Sequence, residues 1–225
     1  MKLSRTRVIY AGTLMLALSA TAPAHAAGAG VRIGTTGLGG DVAFELIPTL
    51  SARLGYSYAT YNTTLDDTDV SYDADIRLSN FNAFLDWSPL PGPFRLTAGL
   101  IPNGNRIKVN GRPTNGNYVI NGQTYSASQI GSLDGEIKSG NSVAPYLGIG
   151  WGTVAGAGVN FYADLGVMYM GTPSSSLNVA CGAGLSASDC QTLRSNVAAE
   201  QQKLQDDLKN AKWYPVLNIG ITIGF

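Results

Sequence analysis

The sequence predicts an all-β fold: a closed antiparallel transmembrane β-barrel, with eight strands as the expected number, long outer loops and one loop helix. Three observations carry this. First, residues 213–225 alternate strictly. Trp213, Pro215, Leu217, Ile219, Ile221, Ile223 and Phe225 are apolar, while Asn218, Gly220, Thr222 and Gly224 between them are small or polar. Period two marks a strand with two unlike faces. Second, charged residues are only 13% of the chain, against about 25% in a soluble domain. A barrel explains the deficit, because its outer face meets hydrocarbon. Third, the amino-terminus reads as an export signal. A long apolar strand at an open edge invites aggregation; placing the apolar face in lipid and closing the sheet removes the edge. A soluble secreted β-sandwich is the competing architecture, and it would bury the same positions.

The signal has three parts. Lys2, Arg5 and Arg7 are basic, residues 8–20 are apolar, and Ala24-His25-Ala26 offers an A-x-A site for cleavage between Ala26 and Ala27. The apolar run is shorter than the roughly 20 residues of a membrane helix. The domains expected are therefore a signal peptide at 1–26 and a barrel at 27–225. Fifteen basic and fifteen acidic residues balance, so no electrostatic case for nucleic acid exists. Cys181 and Cys190 meet an oxidising compartment and are expected to form a disulfide that staples a loop.

The strands follow in order. Residues 31–47 are glycine-rich and strand-like, with Val42, Phe44 and Leu46 on one face and Asp41, Ala43 and Glu45 on the other, ending at Pro48. In 50–60, Leu50, Ala52, Leu54, Tyr56 and Tyr58 face lipid, and Ser51, Arg53, Gly55 and Ser57 face inward. An acidic run contains Asp66, Asp67, Asp69, Asp73 and Asp75. The strand that follows ends with Phe81, Ala83, Leu85 and Trp87 outward. Phe84 breaks its pattern, and Ile76 and Leu78 take the opposite parity, which suggests a bulge near Ser79. After the 89–93 turn, Phe94, Leu96, Ala98 and Leu100 face out.

Residues 102–142 are rich in Asn and Gly and read as a loop, with a small hairpin at 118–125. Strands are expected at 143–151 and 159–170, joined by a 153–158 turn. The second long connection, 171–212, has a helical latter half at 189–211. Its thin stripe of Leu193, Val197, Leu204 and Leu208 would pack on the barrel mouth. A partner-binding helix is the sharper alternative.

Bacterial barrels have an even number of strands, short periplasmic turns and longer outer loops. That rule puts the turns at Pro48, 89–93 and 153–158 in the periplasm. It leaves one upward strand to find. It lies either at 27–36, with a glycine turn at 37–40, or near 177–180, with 31–47 as one long strand. Trp87, Trp151 and Phe225 then form one aromatic belt, and Tyr56, Tyr58, Tyr169 and Trp213 the other.

Inward positions carry Glu45, Arg53, Arg77, Asp86, Arg95 and Asp164. Eight strands leave a lumen just wide enough for side chains, and buried charges must pair. These six residues are expected to form an ion-pair network; a narrow ion or proton path is the alternative. A general-diffusion pore would need about 16 strands. The one histidine, His25, leaves with the signal, which removes Ser-His hydrolysis and the commonest metal ligand. No catalytic site, metal or cofactor is expected. The acidic run could take calcium but lacks the spacing of a dedicated loop; a solvated outer loop is the simpler assignment.

The strand pattern, the A-x-A signal, Leu85-Asp86-Trp87-Ser88-Pro89, residues 94–100 and the terminal Ile223-Gly224-Phe225 together resemble the OmpW-like and OmpA-transmembrane-like superfamily of small bacterial outer-membrane barrels. The resemblance implies residence in the bacterial outer membrane with lipid and lipopolysaccharide as neighbours. It also implies insertion by the barrel-assembly machinery through Phe225. It leaves two functions open: a structural or surface-interaction barrel, or a narrow channel or transporter for small, even hydrophobic, molecules. The 103–142 loop and the cysteine-bearing loop exceed the minimal pattern of that superfamily.

Overall fold

The computed structural model describes residues 26–66, 70–113 and 116–225. The expected signal peptide lies outside the described residues, apart from Ala26. Thirteen strands and one helix follow. They are β1 (Ala27–Gly34), β2 (Gly37–Ile47), β3 (Leu50–Asp66), β4 (Val70–Trp87), β5 (Phe94–Pro102), β6 (Arg106–Pro113), β7 (Asn117–Ile120), β8 (Gln123–Ser126), β9 (Ile130–Lys138), β10 (Val143–Gly152), β11 (Gly158–Tyr169), β12 (Ser174–Cys181), α1 (Ala187–Asp207) and β13 (Trp213–Gly224).

Eight of the strands form a closed antiparallel ring in the order β4-β3-β2-β1-β13-β11-β10-β5, with β5 paired back to β4. The terminal strands meet, Val31 opposite Ile221 and Ile33 opposite Ile219. The other seam sets Ala83 opposite Leu100. Alternation decides which side of each strand faces out. Leu54, Leu85, Leu147, Phe161, Leu165, Ile219 and Ile221 are all exposed, an apolar belt that only lipid would cover. Trp87, Trp151 and Phe225 stand at the end with short turns; Tyr169 packs edge-on against Trp213 at the other, ring centroids 4.9 Å apart.

The first alternative for the missing strand holds. Residues 27–34 are β1, but the turn is Thr35-Thr36 rather than 37–40, and Gly37 takes the positive φ of +107°. The 177–180 stretch is a strand too, in β12, and it stands outside the ring.

The expected bulge near Ser79 is absent. β3 and β4 run in unbroken register from Leu50 opposite Trp87 to Asp66 opposite Ser71. Phe84 simply points inward and is buried. Ile76 and Leu78 share its face. Below Ser79 the outer face meets lipid; above it the outer face meets water and the inner face is covered. The apolar residues change sides because the surroundings do.

The 102–142 segment is not a loop but a continuation of the wall. Along β4, Leu100 stands opposite Ala83, Asn103 bridges to Asn80, and Arg106 stands opposite Arg77. β6 therefore extends β5 in the same register. At the break, the Asn105 side chain accepts from the Ser79 amide at 2.9 Å and donates to Asn80 at 3.0 Å. β9 pairs with β6, and β12 with β9. One half of the barrel thus rises beyond the ring as an upright sheet of β3, β4, β6, β9 and β12. The acidic run lies in its β3–β4 hairpin: Asp75 sits in the ladder and Asp73 pairs with Arg112. Asp67 and Asp69 lie outside the described residues.

The hairpin expected at 118–125 is β7–β8, turned by Asn121 and Gly122, both at positive φ as the tightest hairpin turn requires. The helix begins two residues before the expected start. Ser186 caps it by accepting the Asp189 amide, and Asp189 adds charge to the first turn. It packs on the sheet extension rather than on the barrel mouth. Leu193 and Val197 are buried with Tyr118, Ile120, Tyr125, Ile130 and Leu133. Gln201 and Gln205 accept the Leu177 and Ser175 amides at 3.0 and 2.9 Å, which occupies donors of the sheet's last strand. The Cys181–Cys190 disulfide ties β12 to the first turn of α1.

Two outcomes follow. Ile219→Arg, in the middle of β13, is expected to cost about 2–4 kcal/mol in lipid, measured by denaturant unfolding from vesicles. Cys181→Ser with Cys190→Ser is expected to speed proteolysis around residues 182–190 and to destabilise the extension by about 2–3 kcal/mol, while the barrel keeps its heat-modifiable migration on a denaturing gel.

Candidate functional site

The lumen is filled in layers. Nearest the short-turn end, the 153–157 turn folds inward, burying Val154 and Ala155 against Ala43 and Tyr162. Above it lies a square of charges. Arg53 donates from Nε and Nη2 to the two carboxylate oxygens of Asp86, at 3.0 and 3.1 Å, and from Nη1 to Asp164 at 2.6 Å. Arg95 closes the square, with Nη1 to Asp86 at 2.7 Å and Nη2 to Asp164 at 2.9 Å. Its Nε donates to the Gly152 carbonyl at 2.8 Å, and Thr97 donates to Asp86 at 2.6 Å. All four charged side chains are at most 4% exposed.

A second cluster adjoins it. Arg32 pairs with Asp41 and donates to Asn82 at 2.5 Å. Asp41 also accepts from the Tyr162 hydroxyl at 2.5 Å and from the Asn82 amide at 3.2 Å. The Tyr162 ring carries the Arg53 and Arg95 guanidinium carbons 5.0 and 5.7 Å from its centroid. The ring needs room. A Cβ on Gly220 would come 2.4 Å from it, and one on Gly166 would come 2.5 Å from the Tyr146 hydroxyl. These glycines stand on the strands beside the tyrosines' own, β13 beside β11 and β11 beside β10, and leave room for the two rings to lie against the inner wall.

Farther along β4, β5, β10, β11 and β13 an apolar group packs in the lumen. Phe84 stacks on Tyr146 with centroids 4.6 Å apart, and Ile101, Ala144, Met168 and Val216 complete the layer. The three arginines and three aspartates of the two clusters balance.

Of the six residues expected to form the network, Arg53, Asp86, Arg95 and Asp164 meet. Glu45 lies at the short-turn mouth and makes no salt bridge among the described residues. Arg77 does not point inward. It sits on the water-facing side of the extension, its guanidinium carbon 5.4 Å from the Tyr58 centroid. Its assignment followed the bulge that is absent: without a bulge, odd positions of β4 face out. Arg32 and Asp41 were missed. The signal for them was present, since both sit at inward positions of alternating strands where a lone charge could not survive.

Above the apolar layer, inside the upright sheet, a vestibule of about 490 Å³ opens. Ile76, Leu78, Ile107, Ile137, Met170 and Leu208 line it, with Tyr61 and Tyr214 at its edge.

No protein-family model matches the chain, and no curated protein sequence matches it. Solved structures do. Acinetobacter baumannii CarO matches with a TM-score of 0.58 and 22% identity, over 88% of this chain and 97% of that one. Acinetobacter baumannii CarO2 matches with a TM-score of 0.59 and 23% identity, over 89% and 98%. The fold is that of an outer-membrane β-barrel. A major outer membrane protein of Thermus thermophilus matches more loosely, with a TM-score of 0.45 and 17% identity, over 89% and 98%. The outer-membrane barrel agrees in architecture with the resemblance drawn from the sequence. It differs from a minimal barrel in carrying a raised half-wall and a helix.

Arg53→Ala leaves two buried carboxylates short of partners and is expected to destabilise the barrel by about 3–5 kcal/mol. Arg77→Ala, on the outer surface, is expected to stay within about 0.5 kcal/mol. Denaturant unfolding of the two variants in the same detergent checks both.

Proposed function

We propose that this protein is a non-catalytic, occluded barrel of the bacterial outer membrane whose work is done at the cell surface by the raised sheet and α1. The observation that supports this most directly is the packing of the lumen by the buried Arg53–Asp86–Arg95–Asp164 square and the Phe84–Tyr146 layer. An eight-stranded ring has room for side chains and little else. In this proposal residues 1–26 are the cleaved export signal, and Phe225, 81% exposed at the periplasmic rim, is the residue the barrel-assembly machinery reads. The chain's only histidine is His25, so the mature barrel has no imidazole base for hydrolytic chemistry.

A second role has one observation in its favour. The apolar vestibule could hold a small hydrophobic molecule above the plug, which suits a narrow transporter whose plug moves.

Planar bilayers separate the two. The purified barrel is expected to give no discrete current steps. Replacing Arg53, Asp86, Arg95 and Asp164 together by Ser, with Phe84 and Tyr146 by Ala, removes both layers without stranding a charge of the square, and steps are expected only then. Steps from the unaltered protein would reject the occluded barrel. Uptake of a hydrophobic dye by vesicles carrying the unaltered protein would favour the transporter.

A further inference from the structure

The face of the upright sheet turned away from α1 is charged, and its charges are not evenly placed. Going outward from the membrane, Asp75, Lys108 and Glu136 stand directly opposite one another, alternating in sign. Farther out, Asp73 pairs with Arg112. The row nearest the barrel is different. It reads Thr60, Arg77, Arg106, Lys138 and Ser174, each directly opposite the next on β3, β4, β6, β9 and β12. Three cations lie side by side across three strands, with a hydroxyl residue at each end.

Like charges directly opposite one another destabilise a sheet. Two acids, Asp75 and Glu136, stand in the next row out, on either side of Lys108. Glu136 bonds Lys138 at 2.9 Å, and its carboxyl is held below the usual range by that hydrogen bond and by the neighbouring Lys108 and Arg106. Two carboxylates face four cations, Arg77, Arg106, Lys138 and Lys108. Among the described residues, neither Arg77 nor Arg106 forms a salt bridge.

The height of the row identifies what could supply the missing anions. Arg77 lies over Tyr58, which belongs to the outer aromatic belt. Two outward positions below Arg77 on β4 is Phe81, exposed to lipid. The row therefore stands where apolar wall gives way to charged wall, at the level of lipid headgroups. Three adjacent strands span about 10 Å, wide enough for more than one phosphate.

We propose that the Arg77–Arg106–Lys138 row is a docking site for an outer-leaflet glycolipid bearing more than one phosphate. This rests on the membrane-barrel assignment above and adds a partner to it. The guanidinium forks match phosphate oxygens in pairs, and the bound phosphates relieve the repulsion along the row.

Full-length barrel in detergent is titrated with bisphosphorylated lipid A and with its dephosphorylated form, and bound lipid is counted by native mass spectrometry. The unaltered protein is expected to prefer the bisphosphorylated form by about tenfold or more, less so as salt rises. Arg77→Gln with Arg106→Gln and Lys138→Gln is expected to abolish that preference, and Arg112→Gln to leave it intact. Arg106→Gln alone is expected to raise the unfolding temperature without lipid while weakening lipid binding, which a merely structural arginine would not do. A triple variant that keeps the preference, or phosphatidylglycerol competing equally well, overturns the proposal. A barrel that fails to show heat-modifiable migration overturns the membrane assignment instead, and the two failures are read in separate assays.

Discussion

Backbone hydrogen bonding sets the terms for this molecule. Inside hydrocarbon each amide and carbonyl must find a partner on a neighbouring strand, because no water is there to take it. An open sheet leaves two unpaired edges. Here the edges are removed at two seams, β1 against β13 and β4 against β5. Everything else about the barrel follows from that closure. Its radius is set by eight strands, its outward positions are committed to apolar residues, and its inward positions share one narrow space.

Narrowness explains the lumen. Side chains from opposite walls touch, so a charge projected inward is desolvated and must be matched. Arg53, wholly buried, is matched by two carboxylates and two aromatic faces. Such networks are weak evidence of stability in themselves, since desolvation offsets much of the attraction. Their consequence here is geometric. Short charge-assisted bonds, and the glycines Gly220 and Gly166 on the strands beside Tyr162 and Tyr146, hold the arginine and tyrosine side chains inside the bore.

Closure also explains the uneven height of the wall. A closed ring needs all eight strands only as far as the lipid extends. Beyond it β3, β4, β6, β9 and β12 continue as an open sheet, and a sheet in water faces the older problem of covering one face and an edge. The β7–β8 hairpin and α1 cover the face, and the glutamines of α1 occupy amides of the edge strand. The disulfide fixes the helix to that same edge. The surface left bare is the charged one, which carries Arg77, Arg106 and Lys138.

The sequence by itself determined the ring. Period-two alternation in 50–60, 94–100, 143–151, 159–170 and 213–225 is imposed by lipid on one side and a packed lumen on the other, so it can be read residue by residue. Arg53, Asp86, Arg95 and Asp164 were legible for the same reason. Only the tertiary structure decided what happens above the membrane. There water replaces lipid outside and α1 replaces the lumen inside, and the same alternation means the reverse. Ile76 and Leu78 therefore resembled the sign of a bulge, Arg77 was assigned to the lumen, and β6 and β9 were hidden among Asn and Gly that looked like loop. The period survives such a change of surroundings; the identity of each face does not, because it belongs to whatever the folded chain places against it.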